Sequence, residues 1–308
     1  MSPSFPRHAS RRRTAAATLA ASALALTLAA CGSSSGTGSA MPGMSGMTGS
    51  ATPSASAMPS MSGMDAMPSG DGLSATSGGY TFTSNAAAPT ADRASGYRFT
   101  ITGPDGKPVT GFAVDQTKKL HFYAIRSDLT GFQHVHPTMA ADGTWTAPLA
   151  ALTAGTWRLF ATFTPASGSG SGKGTDFVLS RTVTVAGTST DTALPQAATG
   201  TTVDGYTVTL SGELMADMAH ALTVTITKGG KPVTDLQPYL GTYAHLTAFH
   251  QTDSAFAHLH PTTAVTGDHG GPALSFHAEL TKAGNWRLFL QFQTAGTLHT
   301  AAVTVHVS

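Results

Sequence analysis

The sequence predicts an all-β protein: two tandem antiparallel β-sandwich domains behind a disordered methionine-rich tether. Three observations carry this. Charged residues are only 11% of the 308, while Gly (34) and Pro (17) are abundant. A chain rich in small and turn residues and poor in Leu, Lys and Glu is no helical bundle or coiled coil. Ordered blocks of the C-terminal two thirds occur twice. Within each copy, short segments alternate with period two between turn signals.

At the N-terminus, Arg11-Arg12-Arg13 precedes an apolar stretch from Ala15 to Ala30, which ends Leu28-Ala29-Ala30-Cys31-Gly32. Basic, apolar and small-residue regions in this order form a secretory signal over residues 1–30. Cys31 is the only cysteine, so no intramolecular disulfide or cysteine-based zinc site can form. Its setting resembles the bacterial lipobox, which implies lipidation of Cys31 and cleavage before it. An ordinary signal peptide with a chance cysteine and a short membrane anchor are the alternatives. Ser10-Arg11-Arg12 also admits twin-arginine export. No other segment reaches the ~18 apolar residues of a membrane span. The expected location is the extracytoplasmic side of the cell membrane, anchored by lipid. Four of the 17 basic residues precede Cys31 and all 16 acids follow it, leaving 13 against 16, or −3. That balance is no footprint for nucleic acid.

Residues 31–78 form the tether. Between 32 and 78 lie Ser, Gly, Ala, Thr and Pro with no aromatic before Tyr80, a composition that cannot bury enough apolar surface to fold. Met41, Met44 and Met47 are spaced by three, as are Met58, Met61, Met64 and Met67. Thioether sulfur is a soft donor suited to Cu(I), and a flexible chain can wrap several around one ion. Low-complexity drift or an oxidant sink is the plainer reading.

The rest is an internal duplication. Lys107-Pro108-Val109-Thr110 recurs as Lys231-Pro232-Val233-Thr234, and His134-Val135-His136-Pro137-Thr138 as His258-Leu259-His260-Pro261-Thr262. Gly155-Thr156-Trp157-Arg158-Leu159-Phe160 recurs as Gly284-Asn285-Trp286-Arg287-Leu288-Phe289. The domains are 79–187 and 203–308, joined by a linker at 188–202. Strands are expected near 79–84, 96–103, 119–126, 132–137, 144–148, 155–164 and 176–186, then near 204–212, 220–228, 243–250, 255–261, 273–280, 284–293 and 298–307. Tyr97-Phe99-Ile101 and Val303-Val305-Val307 show the alternation; Pro104-Asp105-Gly106 and Gly229-Gly230 mark turns. About seven short strands per domain suggest a sandwich of immunoglobulin or cupredoxin type.

Both copies place one histidine thirteen residues before a His-x-His-Pro: His121 before His134 and His136, His245 before His258 and His260. Residues two apart on a strand share a face. Pairing Ser127 with Phe132 sets Tyr123 opposite His136, with His121 diagonal on the same face; the same register sets Thr247 opposite His260. Each copy then offers three neutral imidazoles, a donor set for copper or zinc. Strand parity points His299 inward and makes it a fourth nitrogen for the second copy. Pro238-Tyr239-Leu240-Gly241 precedes His245 without a counterpart before His121, so the second copy reads as the more complete site. Met215, Met218 and His220 form a further mixed thioether–imidazole group. All these histidines could instead serve structure alone.

Residues 204–308 resemble bacterial exported domains with Gly-x-Pro-Val, Pro-Tyr-Leu-Gly-x-x-x-His-Leu, His-x-His-Pro and Gly-x-Trp-Arg-Leu-Phe, here Gly230–Val233, Pro238–Leu246, His258–Pro261 and Gly284–Phe289. Such domains occur in uncharacterised lipoproteins and beside heavy-metal or copper-resistance modules. The resemblance implies copper, Cu(I) or Cu(II), as ligand and a copper-handling partner protein. The methionine runs are similar to those of bacterial copper-handling proteins. A blue-copper centre needs a cysteine ligand, and lipidation would consume the only one. Acids are sparse around the histidines and no Gly-x-Ser-x-Gly or His-Glu-x-x-His motif is present, so no catalytic residues are expected. The function read from sequence is a lipid-anchored extracytoplasmic copper-binding protein. Its rival is a non-catalytic cell-surface interaction module of two immunoglobulin-like domains.

Overall fold

The computed structural model describes residues 70–166 and 175–308. The signal segment, Cys31 and the seven tether methionines lie outside the described residues. Among the described residues there is no helix, and both repeats are antiparallel β-sandwiches.

The first repeat holds β1 (Thr76–Ser77), β2 (Tyr80–Thr83), β3 (Ser95–Thr102), β4 (His121–Arg126), β5 (Gln133–Val135), β6 (Thr138–Met139), β7 (Thr144–Leu149), β8 (Gly155–Phe163) and β9 (Phe177–Val185). One sheet runs β1-β2-β3-β7-β6 and the other β5-β4-β8-β9. Tyr97, Phe99 and Ile101 on β3, Trp145, Ala147 and Leu149 on β7, and Trp157, Leu159 and Ala161 on β8 fill the space between them. The intervening residues of β3 face outward, giving the alternation its physical cause: one face buried, one wet.

The second repeat follows as β10 (Gly200–Val203), β11 (Tyr206–Ser211), β12 (Ala219–Lys228), β13 (Lys231–Pro232), β14 (Ala244–His250), β15 (Phe256–Pro261), β16 (Ala273–Glu279), β17 (Gly284–Thr294) and β18 (Thr297–Val307). Here β15 continues through its His-x-His-Pro to pair with β16, so both sheets join into one continuous sheet. The matching stretch of the first repeat breaks between β5 and β6. In both repeats the motif tryptophan donates from Nε1 to a carbonyl four residues back, Trp157 to Thr153 (2.9 Å) and Trp286 to Lys282 (2.8 Å).

Strands β4 and β14 are buried along their whole length. A strand buried on both faces has something packed on each side. One side is its own sandwich core. The other is the opposite repeat: Tyr123, Ile125, Leu129, Phe160 and Val178 of the first form one apolar cluster with Phe249, Phe256 and Phe289 of the second. Phe132 stacks on Phe289 with centroids 4.3 Å apart and planes within 11°. The two sandwiches are thus packed sheet against sheet.

Residues 70–75, assigned to the tether by composition, run along this seam. The Asp71 carbonyl accepts from Phe256 N and the Ser74 carbonyl from Ser180 N, both at 2.8 Å. Arg158 donates to the Leu73 carbonyl (3.2 Å), and Lys282 pairs with Asp71 (3.1 Å). Gly72 has φ +70° and lies so close to Val178 and Phe160 that no side chain fits there.

Candidate metal centre

The β4–β5 hairpin builds the first half of the site. Tyr123 faces His134 across the pair, so His121 stands opposite His136 one step further on. Sequence reasoning put Tyr123 opposite His136. The true register is shifted by two residues because the turn is centred one residue earlier in the chain: Asp128 Oδ1 accepts from Thr130 N (3.1 Å) and Oγ1 (2.6 Å), and Leu129 takes φ +60°. A two-residue shift preserves the face, so the three imidazoles converge as expected. The second hairpin shows the same shift, with Thr247 opposite His258 rather than His260.

In the first repeat the ring centroids lie 5.3 Å apart for His121–His134, 5.1 Å for His121–His136 and 4.8 Å for His134–His136. One nitrogen from each ring falls within 4.8 Å of the others. With a metal–nitrogen bond of about 2.0 Å, an ion sits about 3.2 Å from each ring centroid, and tetrahedral neighbours are then about 5 Å apart. The observed triangle has that size.

The outer nitrogens are held by carbonyls. His121 Nε2 donates to the Asp115 carbonyl (3.2 Å), and His245 Nε2 donates to the Tyr239 carbonyl (2.9 Å). Each carbonyl belongs to a tight turn, Asp115–Lys118 or Tyr239–Thr242, with left-handed residues at its centre: Gln116 and Thr117, or Leu240 and Gly241. Pro-Tyr-Leu-Gly is therefore a carbonyl-presenting turn, and the first repeat makes the same turn without the motif. Carbonyls oriented this way fix the tautomer of a ligand histidine. With Nε2 protonated, His121 Nδ1 carries a lone pair. It lies 3.1 Å from His134 Nε2, while His134 Nδ1 is 2.7 Å from Gln291 Oε1 of the second repeat. If His134 Nδ1 donates to Gln291 Oε1, the facing nitrogens at 3.1 Å are both lone pairs.

The expectation of two separate sites is corrected by the packing of the repeats. His245 approaches His134 (6.0 Å), His258 approaches His121 (6.4 Å), and His260 stands 4.9 Å from His258. All six rings form one cluster along the seam. A narrow cleft lined by Asp115, Lys118, Lys119, His121, His258 and His260 opens onto it. Burial, then the charge of neighbouring groups, holds the imidazoles neutral: His121 and His245 are lowered to about 4 and His136 to about 3, with Lys118 adding to the effect on His121 and His136. Burial takes His134 and His258 well below the usual value as well, reinforced by the other rings. Burial also raises the Tyr123 hydroxyl, stacked on His134 at 4.3 Å.

His299 is not part of the cluster. Its register partner is Phe292, on the core side of β17, whereas Gln291 and His245 pair on the seam side. His299 Nδ1 meets Asp204 Oδ2 (2.7 Å) and Nε2 meets Thr294 Oγ1 (3.1 Å). Inward parity was correct, but inward is the opposite face from the triad. The second copy is accordingly not the more complete one; the compact triad belongs to the first. His220 stands on the core-facing row of β12 with Leu222 and Val224, and Met215 and Met218 are exposed on the preceding loop, so this group does not join the cluster. Sequence reasoning missed Gln291 and His277, which is the register partner of His260. Gln291 had a signal: it is a polar residue between Leu290 and Phe292 at the outward parity of Arg287 and Phe289.

A comparison with curated proteins returns no match. Among solved structures the chain is similar to FdeC, an Escherichia coli adhesin (15% identity, 79% of this chain and 66% of that one, TM-score 0.23), and to InvD of Yersinia pseudotuberculosis (17%, 76% and 58%, 0.24). It is also similar to the D0-D1 domain of intimin (12%, 73% and 97%, 0.20). The chain spans less than two thirds of the length of the first two. At such scores the likeness carries no functional information. One family, described as "Domain of unknown function (DUF8832)", matches residues 75–178 and again 201–308, more than half of the chain and in the same two copies that the repeats delimit; the chain belongs to this family.

Proposed function

We propose that this is a lipid-anchored extracytoplasmic copper-binding protein that buffers, sequesters or hands on copper, with His121, His134 and His136 as its folded metal centre. The observation that supports it best is the contact of His121 Nδ1 with His134 Nε2 at 3.1 Å, the outer nitrogens of both rings being engaged elsewhere. Facing lone pairs repel, and a cation between them relieves this. His136 Nε2 is likewise buried with no hydrogen-bond partner. His121, His134 and His136 are held neutral and their compact group contains no carboxylate, which favours a monovalent ion. Charging energy rises as the square of the charge, so a monovalent ion costs about a quarter as much to bury as a divalent one. Cu(I) meets this and accepts imidazole and thioether alike. Membrane attachment through Cys31, and transfer to a copper-handling partner, belong to the same reading.

Binding rather than catalysis is the role. Thr294, His299 and Asp204 follow the order of a nucleophile, base and acid, but Thr294 is 2% exposed and its hydroxyl is held by Tyr206 at 2.6 Å. The test is anaerobic Cu(I) titration against a chromophoric chelator, using full-length chain with the tether methionines changed to leucine. His136→Ala should weaken binding at least tenfold, about 1.4 kcal/mol.

A second reading is a cell-surface interaction module with structural histidines. Its supporting observation is the same chain of contacts. With the Gln291 amide turned over, Gln291 donates to His134, His134 to His121, and His121 to the Asp115 carbonyl, satisfying every member. A folded protein that ignores Cu(I) decides for this reading.

A further inference from the structure

We propose that the metal centre is shared by the two repeats, with His245 of the second repeat closing the coordination that His121, His134 and His136 begin. This rests on the reading of the triad as a copper centre. Three imidazoles leave a tetrahedral ion one position short. The missing donor must be buried, neutral and free to give a lone pair toward the triad, and His245 meets each condition. It is 1% exposed. Its Nε2 is committed to the Tyr239 carbonyl at 2.9 Å, which leaves the lone pair on Nδ1. That Nδ1 is buried without a hydrogen-bond partner.

A neutral acceptor nitrogen closed off from water and protein is destabilising unless something occupies it. The His245 ring lies 6.0 Å from His134, so about an ångström of closure brings the pair to the spacing already present within the triad. Among the described residues the compact triad lies in the first repeat alone, and in the second the His245 and His258 centroids are 6.3 Å apart. His258 and His260 instead line the cleft that reaches His121, which makes them the approach rather than the cage.

The consequence is a clasp. An ion held by β4, β5 and β14 together binds the docked pair of repeats and not the separated one, so occupancy stabilises the seam by mass action. The partner selected is a single monovalent soft ion per chain.

The experiment uses the full-length chain with leucine at the seven tether methionines, loaded anaerobically with Cu(I). X-ray absorption at the copper edge counts the imidazoles on the wild-type site without any further substitution. The expected count is four. His245→Asn, with His245→Ala as the second variant, should lower the count to three, weaken chelator-competed affinity at least tenfold, and lose most of the rise in thermal midpoint that Cu(I) gives. A count of three in wild type, or unchanged affinity in a folded His245 variant, overturns the shared site while leaving the triad standing, provided His136→Ala still weakens binding at least tenfold. Absence of Cu(I) binding by wild type overturns the triad reading itself.

Discussion

Acidifying the metal-free protein should strip it of stability between pH 6.5 and 4, and the seam histidines set both the window and the size of the effect. His121 and His245 are 2% and 1% exposed, and burial lowers each from 6.5 to about 4. The folded value lies below the unfolded one. Above pH 6.5 neither state binds the proton and the full stability is present. As the pH falls from 6.5 toward 4, the unfolded chain takes up protons that the folded chain refuses, and stability is lost. Below 4 both states are protonated and these groups add no further loss. At pH 5 the linkage relation gives ~2 kcal/mol for each of the two, hence ~4 kcal/mol together. His134 and His258 act in the same direction. Against a typical total of about 5–15 kcal/mol, this is a large fraction. Urea unfolding at pH 7 and pH 5, followed by fluorescence of the buried Trp145, Trp157 and Trp286, measures it directly. Equal unfolding free energies at the two values, or a loss confined to pH below 4, would refute the argument that the rings are buried neutral.

Three further outcomes are expected. Phe132→Ala removes the ring stacked on Phe289 across the seam and should cost roughly 3 kcal/mol; calorimetry showing an unchanged thermal midpoint would mean the stack contributes nothing. Cys31→Ser should release the protein to the medium or leave its signal uncut; fractionation with normal processing and unchanged membrane retention counts against lipidation. A peptide of residues 40–70 should compete for Cu(I) with a chromophoric chelator and lose that ability when Met41, Met44, Met47, Met58, Met61, Met64 and Met67 become leucine. Equal competition by both peptides would make the methionines a spacer.

Much of this architecture was legible in the residues, because it rests on local rules. Period-two alternation placed most strands within a few residues, and the repeated blocks delimited the two sandwiches. Parity brought His121, His134 and His136 to one face even though the assumed register was two residues off. The union of both histidine sets was not legible from motif spacing, since it depends on how two finished sheets meet. A trace of it was present: Phe122, Tyr123, Ala124 and Ile125 offer apolar groups to both faces of β4, as a strand buried on one side only would not. His299 misled for a related reason. Parity reports inward or outward, but a sheet between two packed bodies has two interiors, and the donor cluster occupies the second.

The passage of residues 71–75 along the seam has a mechanical meaning. A tensile load carried by the chain ahead of Gly70 enters the folded protein at the joint between the repeats, where the Asp71 and Ser74 carbonyls are bonded to opposite bodies. The attachments at Phe256 N, Ser180 N and Lys282 lie along a short run of backbone, so several can share the force instead of yielding one at a time. A pull from the N-terminal side therefore tests the coupling of the two bodies before it tests either sandwich, and an ion bridging that joint would raise the force at which they part.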